Sequence, residues 1–125
     1  MEPEPCIFCT PETKEILLEN KGAYAKFDLN PVSRGHILII PKRHIGSIFD
    51  ASSDEMVDLW NLLILARNYA EERFNPDGYN LGINDGPSAG QTIMHLHIHL
   101  IPRYSGDMPD PRGGVRGVIP HKQQY

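Results

Sequence analysis

Apolar and polar positions change period several times along this chain, and each change marks an element. Residues 15–19 and 23–28 read as two short strands around Asn20-Lys21-Gly22, a hairpin-like turn. Residues 35–40 form a partly β-branched apolar run stopped by Pro41, the pattern of a well-buried strand. The period then lengthens. Met56, Leu59, Leu62, Leu63, Ala66 and Ala70 fall on one face of a helix. Ser52 with Glu55 three residues later is a capping-box start, and Asn75-Pro76-Asp77-Gly78 is a stop. Residues 79–84 predict a strand, residues 85–92 a loop rich in turn formers, and residues 94–102 a strand ending at Pro102. Residues 104–125 are Pro-, Gly- and Arg-rich and predict an irregular C-terminal arm. Strands joined by short connections, with one long helix between the third and fourth, imply an α+β fold. The expected architecture is an antiparallel sheet of about five strands rather than alternating βαβ units. No internal repeat interrupts this order.

The chain has 125 residues, which suits one domain over residues 1–125 with residues 1–5 as a leader. Hydrophobic residues at 40% and charged residues at 22% are ordinary for a globular domain. A net charge of −4 argues against a nucleic-acid or membrane-surface binder, which needs a basic face. The apolar runs are too short to span a bilayer, and residues 1–5 have neither a basic nor an apolar signal-like stretch. The expectation is a cytoplasmic protein. Charge is uneven, however. Arg103, Arg112, Arg116 and Lys122 outnumber Asp107 and Asp110 after residue 102, a cationic segment suited to a small anionic ligand.

The strongest chemical signal is His95-Leu96-His97-Ile98-His99. On a strand, side chains alternate, so all three histidines share one side while Leu96, Ile98 and Leu100 face the core. Such a row implies a metal site or a nucleophilic imidazole with helpers. Imidazole titrates near ~6.5, so its neutral form is abundant at cellular pH and able to attack phosphorus. Gly86, Gly90, Gln91 and Thr92, just upstream, offer backbone N–H groups, an amide and a hydroxyl to an anion. A second constellation is Cys6-Ile7-Phe8-Cys9. The spacing suits half of a zinc site, a pair of buried thiols, or, less well without a surrounding βαβ unit, a redox pair.

Residues 84–103, with Ala89-Gly90-Gln91-Thr92 ahead of the histidine row, resemble the histidine triad family of nucleotide hydrolases and transferases. The likeness extends to Phe27-Asp28-Leu29-Asn30-Pro31 and to Gly35-His36 through Pro41-Lys42. It implies a homodimer and a nucleotide substrate, such as a dinucleoside polyphosphate, cleaved at the α-phosphorus. By position, the resemblance makes His97 the nucleophile. His99, Gln91 and Thr92 would serve the phosphate, and His36 is a further pocket histidine. Asp28 would bind ribose, and Asn84 and Gly90 would lie along the sugar-phosphate. It also pairs Cys6 and Cys9 with His44 and His95 as a structural Zn²⁺ site. The same residues fit an adenosine phosphoramidase, a nucleotidyl phosphorylase or transferase, or a non-enzymatic nucleotide-binding module. From their neighbourhood, Phe8, Leu29 and Ile37 are expected at the base. Arg116, with Arg112 as the weaker candidate, is expected to reach distal phosphates, in the same chain or in a partner. Trp60, Tyr69 and Phe74 are expected to serve packing.

Overall fold

A computed structural model describes residues 6–125, so the leader read at residues 1–5 lies outside the described residues. Five strands, β1 (Leu18–Glu19), β2 (Ala23–Phe27), β3 (Ile37–Pro41), β4 (Gly78–Ile83) and β5 (Ile98–Arg103), form one sheet in the order β1-β2-β3-β5-β4. Every pairing is antiparallel. One helix, α1 (Ser53–Phe74), joins β3 to β4. This is the expected α+β arrangement.

Alternation along the strands gives the sheet two different faces. Ala23, Ala25, Ile37 and Ile39 point toward α1 and pack with Leu59, Leu62, Leu63, Ala66 and Ala70. The two alanines let the helix lie close. On the opposite, front face, Tyr24, Leu38 and Ile40 pack with Phe8 of the N-terminal segment. The Tyr24 hydroxyl donates to the Phe8 carbonyl at 2.6 Å and holds that segment against the sheet. Ile37 is thus a helix-side core residue. Leu38, one step of alternation away, lines the front-face cavity instead.

Local chemistry fixes the ends of α1. The Ser52 hydroxyl accepts from the Glu55 N–H at 3.1 Å, and the Glu55 carboxylate accepts from the Ser52 N–H at 3.0 Å. Arg43 clamps the same carboxylate at 2.7 Å and, with the capping bonds, holds its pKa down to about 2. The helix ends where Asn75 turns left-handed at φ 48°. In the β1–β2 turn, Gly22 approaches α1 so closely that an added Cβ would lie 2.5 Å from a carboxylate oxygen of Asp58.

Three sequence expectations change. Residues 15–19 yield only the two-residue β1, preceded by a 3-10 turn at Thr13–Glu15. The last strand starts at Ile98 and continues through Pro102, so His95 and His97 precede it. The backbone there is held to the segment after β3 by the Leu96 N–H, which donates to the Ile45 carbonyl at 2.7 Å. His44 and His95 meet beside that bond, at 3.1 Å, where side chains take over from the ladder. The arm is more ordered than composition implied, with 3-10 turns at Gly114–Val118 and Pro120–Lys122.

Candidate active site

A cavity of about 520 Å³ opens on the front face. Its floor is a row of register partners across four strands: Lys26 opposite Leu38, Leu38 opposite His99, and His99 opposite Gly82. Gly82 has no side chain to cover His99. Asp28, His36, Asn84, Gly90, Thr92 and His97 converge around this floor. Ile7, Phe8, Leu29 and Ile93 supply apolar wall.

Fixed hydrogen-bond partners assign the protons on the imidazoles. A backbone N–H can only donate and a carbonyl can only accept. His97 Nδ1 lies 2.8 Å from the His95 carbonyl, so a neutral His97 carries its proton on Nδ1 and keeps the lone pair on Nε2. The Val32 N–H donates to His36 Nδ1 at 3.1 Å, so a neutral His36 is protonated on Nε2. That nitrogen lies 2.9 Å from His99 Nδ1, which must then accept, leaving the proton of His99 on Nε2. His99 Nε2 is buried and has no partner among the described residues. The pocket therefore holds one bare imidazole nitrogen on His97 and one unspent imidazole donor on His99. Burial, then the neighbouring imidazoles of His97 and His36, pushes the His99 pKa down to about 4. Burial likewise lowers His36, against the opposing pull of Asp28. Asp28 stands 3.5 Å from His36 Nε2 and 3.9 Å from His99 Nδ1, and its other oxygen accepts from the Asn30 N–H at 2.8 Å.

The loop ahead of the histidines is shaped by a 3-10 turn, Pro87–Ala89, flanked by Gly86 at φ 93° and Gly90 at φ 95°. Both angles lie in the left-handed region that favours glycine. Gln91 braces this loop. Its oxygen accepts from the Gly86 N–H at 2.9 Å, and its nitrogen donates to the carbonyls of Gly46 at 2.9 Å and Ile93 at 3.1 Å. The amide expected at a phosphate is thus occupied inside the loop, off the cavity lining. Arg116 does not reach the cavity of its own chain either. Its guanidinium donates to the Lys122 carbonyl at 2.9 Å and stacks over Tyr125. Sequence reasoning passed over Lys26 and Leu38. The signal was present in the alternation, since Tyr24, Lys26, Leu38 and Ile40 occupy one face while Ala23, Ala25, Ile37 and Ile39 occupy the other.

Beside the cavity, Cys6, Cys9, His44 and His95 bring four donor atoms within 4.8 Å of one another. Sulfur–nitrogen separations are 3.3 Å for Cys6–His95, 3.1 Å for Cys9–His44 and 3.6 Å for Cys9–His95, and the two nitrogens lie 3.1 Å apart. Tetrahedral zinc with the usual bond lengths requires edges of about 3.5 Å for sulfur–nitrogen and about 3.3 Å for nitrogen–nitrogen. His95 is fully buried, and its Nε2 donates to the Pro41 carbonyl at 2.7 Å. That bond leaves the Nδ1 lone pair aimed at the sulfurs, the orientation of a metal-ligating histidine. The donor set fits Zn²⁺.

An open antiparallel sheet, backed by one helix and faced by a histidine row behind a glycine loop, defines a histidine triad domain. The HIT domain family model matches residues 10–106, and the chain belongs to that family. It is 41% identical over 93 residues to the bis(5'-adenosyl)-triphosphatase of Dictyostelium discoideum, spanning 74% of this chain and 62% of that protein. It is 35% identical over 96 residues to the bifunctional bis(5'-adenosyl)-triphosphatase/adenylylsulfatase of Arabidopsis thaliana, spanning 77% and 53%. The chain thus spans roughly half to three-fifths of the length of these curated relatives. A Zn-bound histidine triad family protein from Mycobacterium smegmatis matches in structure with a TM-score of 0.72 and 31% identity, over 84% of each chain. A HIT family protein from Bacillus anthracis matches with a TM-score of 0.69 and 38% identity, over 72% of this chain and 64% of that one.

Proposed function

We propose that this chain is a nucleotide hydrolase that cleaves dinucleoside polyphosphates at the α-phosphorus through a nucleotidyl-histidine intermediate. The observation that carries the reading is the His97 Nδ1 bond to the His95 carbonyl, which in the neutral ring fixes the tautomer with its lone pair on Nε2, beside the cavity. That lone pair attacks the α-phosphorus, a P–N bond forms, and the P–O bond to the remaining nucleoside polyphosphate breaks. Water then attacks the same phosphorus, the P–N bond breaks, and a nucleoside monophosphate leaves. The spare Nε2–H of His99 donates to a phosphate oxygen as charge develops, a donor already in place. Thr92 extends that role, whereas the N–H groups of Gly86, Ala89, Gly90 and Gln91 are spent within the loop; Asp28 takes the ribose, and Asn84 lies along the sugar-phosphate. Gln91 acts at one remove, by holding the loop.

Two further assignments complete the reading. Zn²⁺ bound by Cys6, Cys9, His44 and His95 would tie the N-terminal segment to the backbone on either side of the site, while His97 stays free. The geometry above and the zinc-bound relative support it. A second copy of the chain would cover the apolar strip of α1 and the edge strand β4. Trp60 is 61% exposed and Leu81 47%, and an unpaired edge flanked by such residues calls for a partner. Among the described residues no helix is long and apolar enough to cross a membrane, and free cysteines suit a cytoplasmic setting.

The direct test is turnover of a panel of dinucleoside polyphosphates and adenosine phosphoramidates, with products identified. Release of a nucleoside monophosphate from the dinucleotides at the higher kcat/KM is expected. Turnover confined to the phosphoramidates would overturn the substrate assignment.

A further inference from the structure

The cavity floor ends in a charge that neither the sheet nor the histidine chemistry requires. Lys26 is 4% exposed, in a run of front-face positions otherwise filled by Tyr24, Leu38 and Ile40. Burying an ammonium among such neighbours is costly unless it is paired. Its partner is Glu15, on the 3-10 turn before β1, which accepts one of the three ammonium N–H groups. The bond holds the Glu15 carboxyl below its usual pKa. The other two N–H groups have no side-chain or backbone acceptor among the described residues, and Lys26 lines the cavity. The ammonium lies 5.8 Å from the centre of the Phe8 ring. By register, Lys26 is two strands from His99, about 10 Å across the sheet, with Leu38 between them. The phosphate chemistry sits at the histidine end of this row. The lysine stands at the apolar end, where Phe8 and Leu38 offer flat and aliphatic surface to a base.

We propose that Lys26 reads the base, its ammonium donating to a ring carbonyl, so that an oxo-purine is preferred to adenine. The assignment rests on the nucleotide reading of the cavity given above. Hypoxanthine and guanine present a carbonyl oxygen at the position where adenine presents an amino group. An amino group there sets donor against donor and leaves a desolvated ammonium unsatisfied. Glu15 fixes the lysine's direction and keeps its charge compensated when the base is absent.

Inosine and adenosine monophosphates isolate this effect, because they differ only at position 6 of the ring and in the accompanying N1 proton. Calorimetric titration of the intact protein with IMP, GMP and AMP should show IMP and GMP binding at least tenfold more tightly than AMP. Lys26→Met should bring the ratio below threefold. Equal affinities in the unaltered protein would overturn the proposal without need of any variant. If Lys26→Met weakens all three ligands in equal proportion, the lysine serves phosphate, and the proposal also falls. Hydrolysis of diguanosine and diadenosine triphosphate, run in parallel, separates the two layers of the argument. Turnover without base preference removes the base assignment and keeps the hydrolase. Selective binding of oxo-purines without turnover keeps the base assignment and removes the hydrolase.

Discussion

Position within a hydrogen-bond chain separates three histidines that look equivalent in sequence. His95 donates to Pro41 and turns its lone pair to the cysteines, His97 donates to a carbonyl and keeps Nε2 bare, and His99 accepts from His36. Period-two spacing was enough to place the three on one side. It could not rank them, because a proton assignment depends on partners brought from β3, from the loop at Val32 and from the N-terminal segment. The low pKa of His99 has a measurable consequence. Unfolded histidine takes up a proton near ~6.5, whereas the folded residue stays neutral down to about 4. Between those values the unfolded state holds more protons, so this contribution to stability is complete above about pH 6.5 and is lost as pH falls toward 4. At full extent it amounts to roughly 3 kcal/mol or less. Thermal melts of the protein and of His99→Gln from pH 7.5 to 4 should converge at the acid end. Parallel curves would show that His99 is not held neutral.

Elements set by short-range chemistry were legible, and those set by distant partners were not. The capping box at Ser52 and the stop at Asn75 bound α1 as read from the sequence. Ser52→Ala should cost about 1 kcal/mol in denaturant unfolding, because an N-cap and half of a reciprocal pair are lost together. No change would mean that Arg43 alone positions Glu55. The start of β5 was misplaced because the ladder yields there to the Cys6, Cys9, His44 and His95 cluster, whose members come from three separate segments. Cys6-Ile7-Phe8-Cys9 disclosed only half of that cluster. If it holds zinc, elemental analysis should find one Zn²⁺ per chain, and chelation should lower Tm by several degrees while changing kcat much less. A metal-free protein with unchanged Tm would leave the four side chains as a hydrogen-bonded cluster only.

On the scale of the molecule, the helix buries one side of the sheet and leaves the other for chemistry. The outer strip of α1 and the edge of β4 remain uncovered. Sequence periodicity showed the inner face of the helix, whereas Trp60 read simply as packing without a surface to pack on. If a second copy supplies that surface, light scattering should give twice the chain mass, and Trp60→Glu should yield a folded monomer. A dimer unaffected by that change would put the interface elsewhere. The arm closes on itself through Arg116, Lys122 and Tyr125. Arg116→Ala should therefore alter turnover of a dinucleoside triphosphate and of a phosphoramidate in equal proportion. A selective loss on the triphosphate would return the guanidinium to the phosphates, from across a dimer.

Nucleotidyl transfer depends most directly on the Nε2 lone pair of neutral His97. Rapid mixing with a dinucleoside polyphosphate, quenching without acid and peptide mass analysis would show where the nucleotidyl group resides. The prediction is a nucleoside monophosphate adduct on His97, within the peptide spanning residues 93–102. His97→Asn should give no adduct and lose several orders of magnitude in kcat while still binding nucleotide. Turnover by His97→Asn near the original rate, or an adduct on another residue, would contradict it.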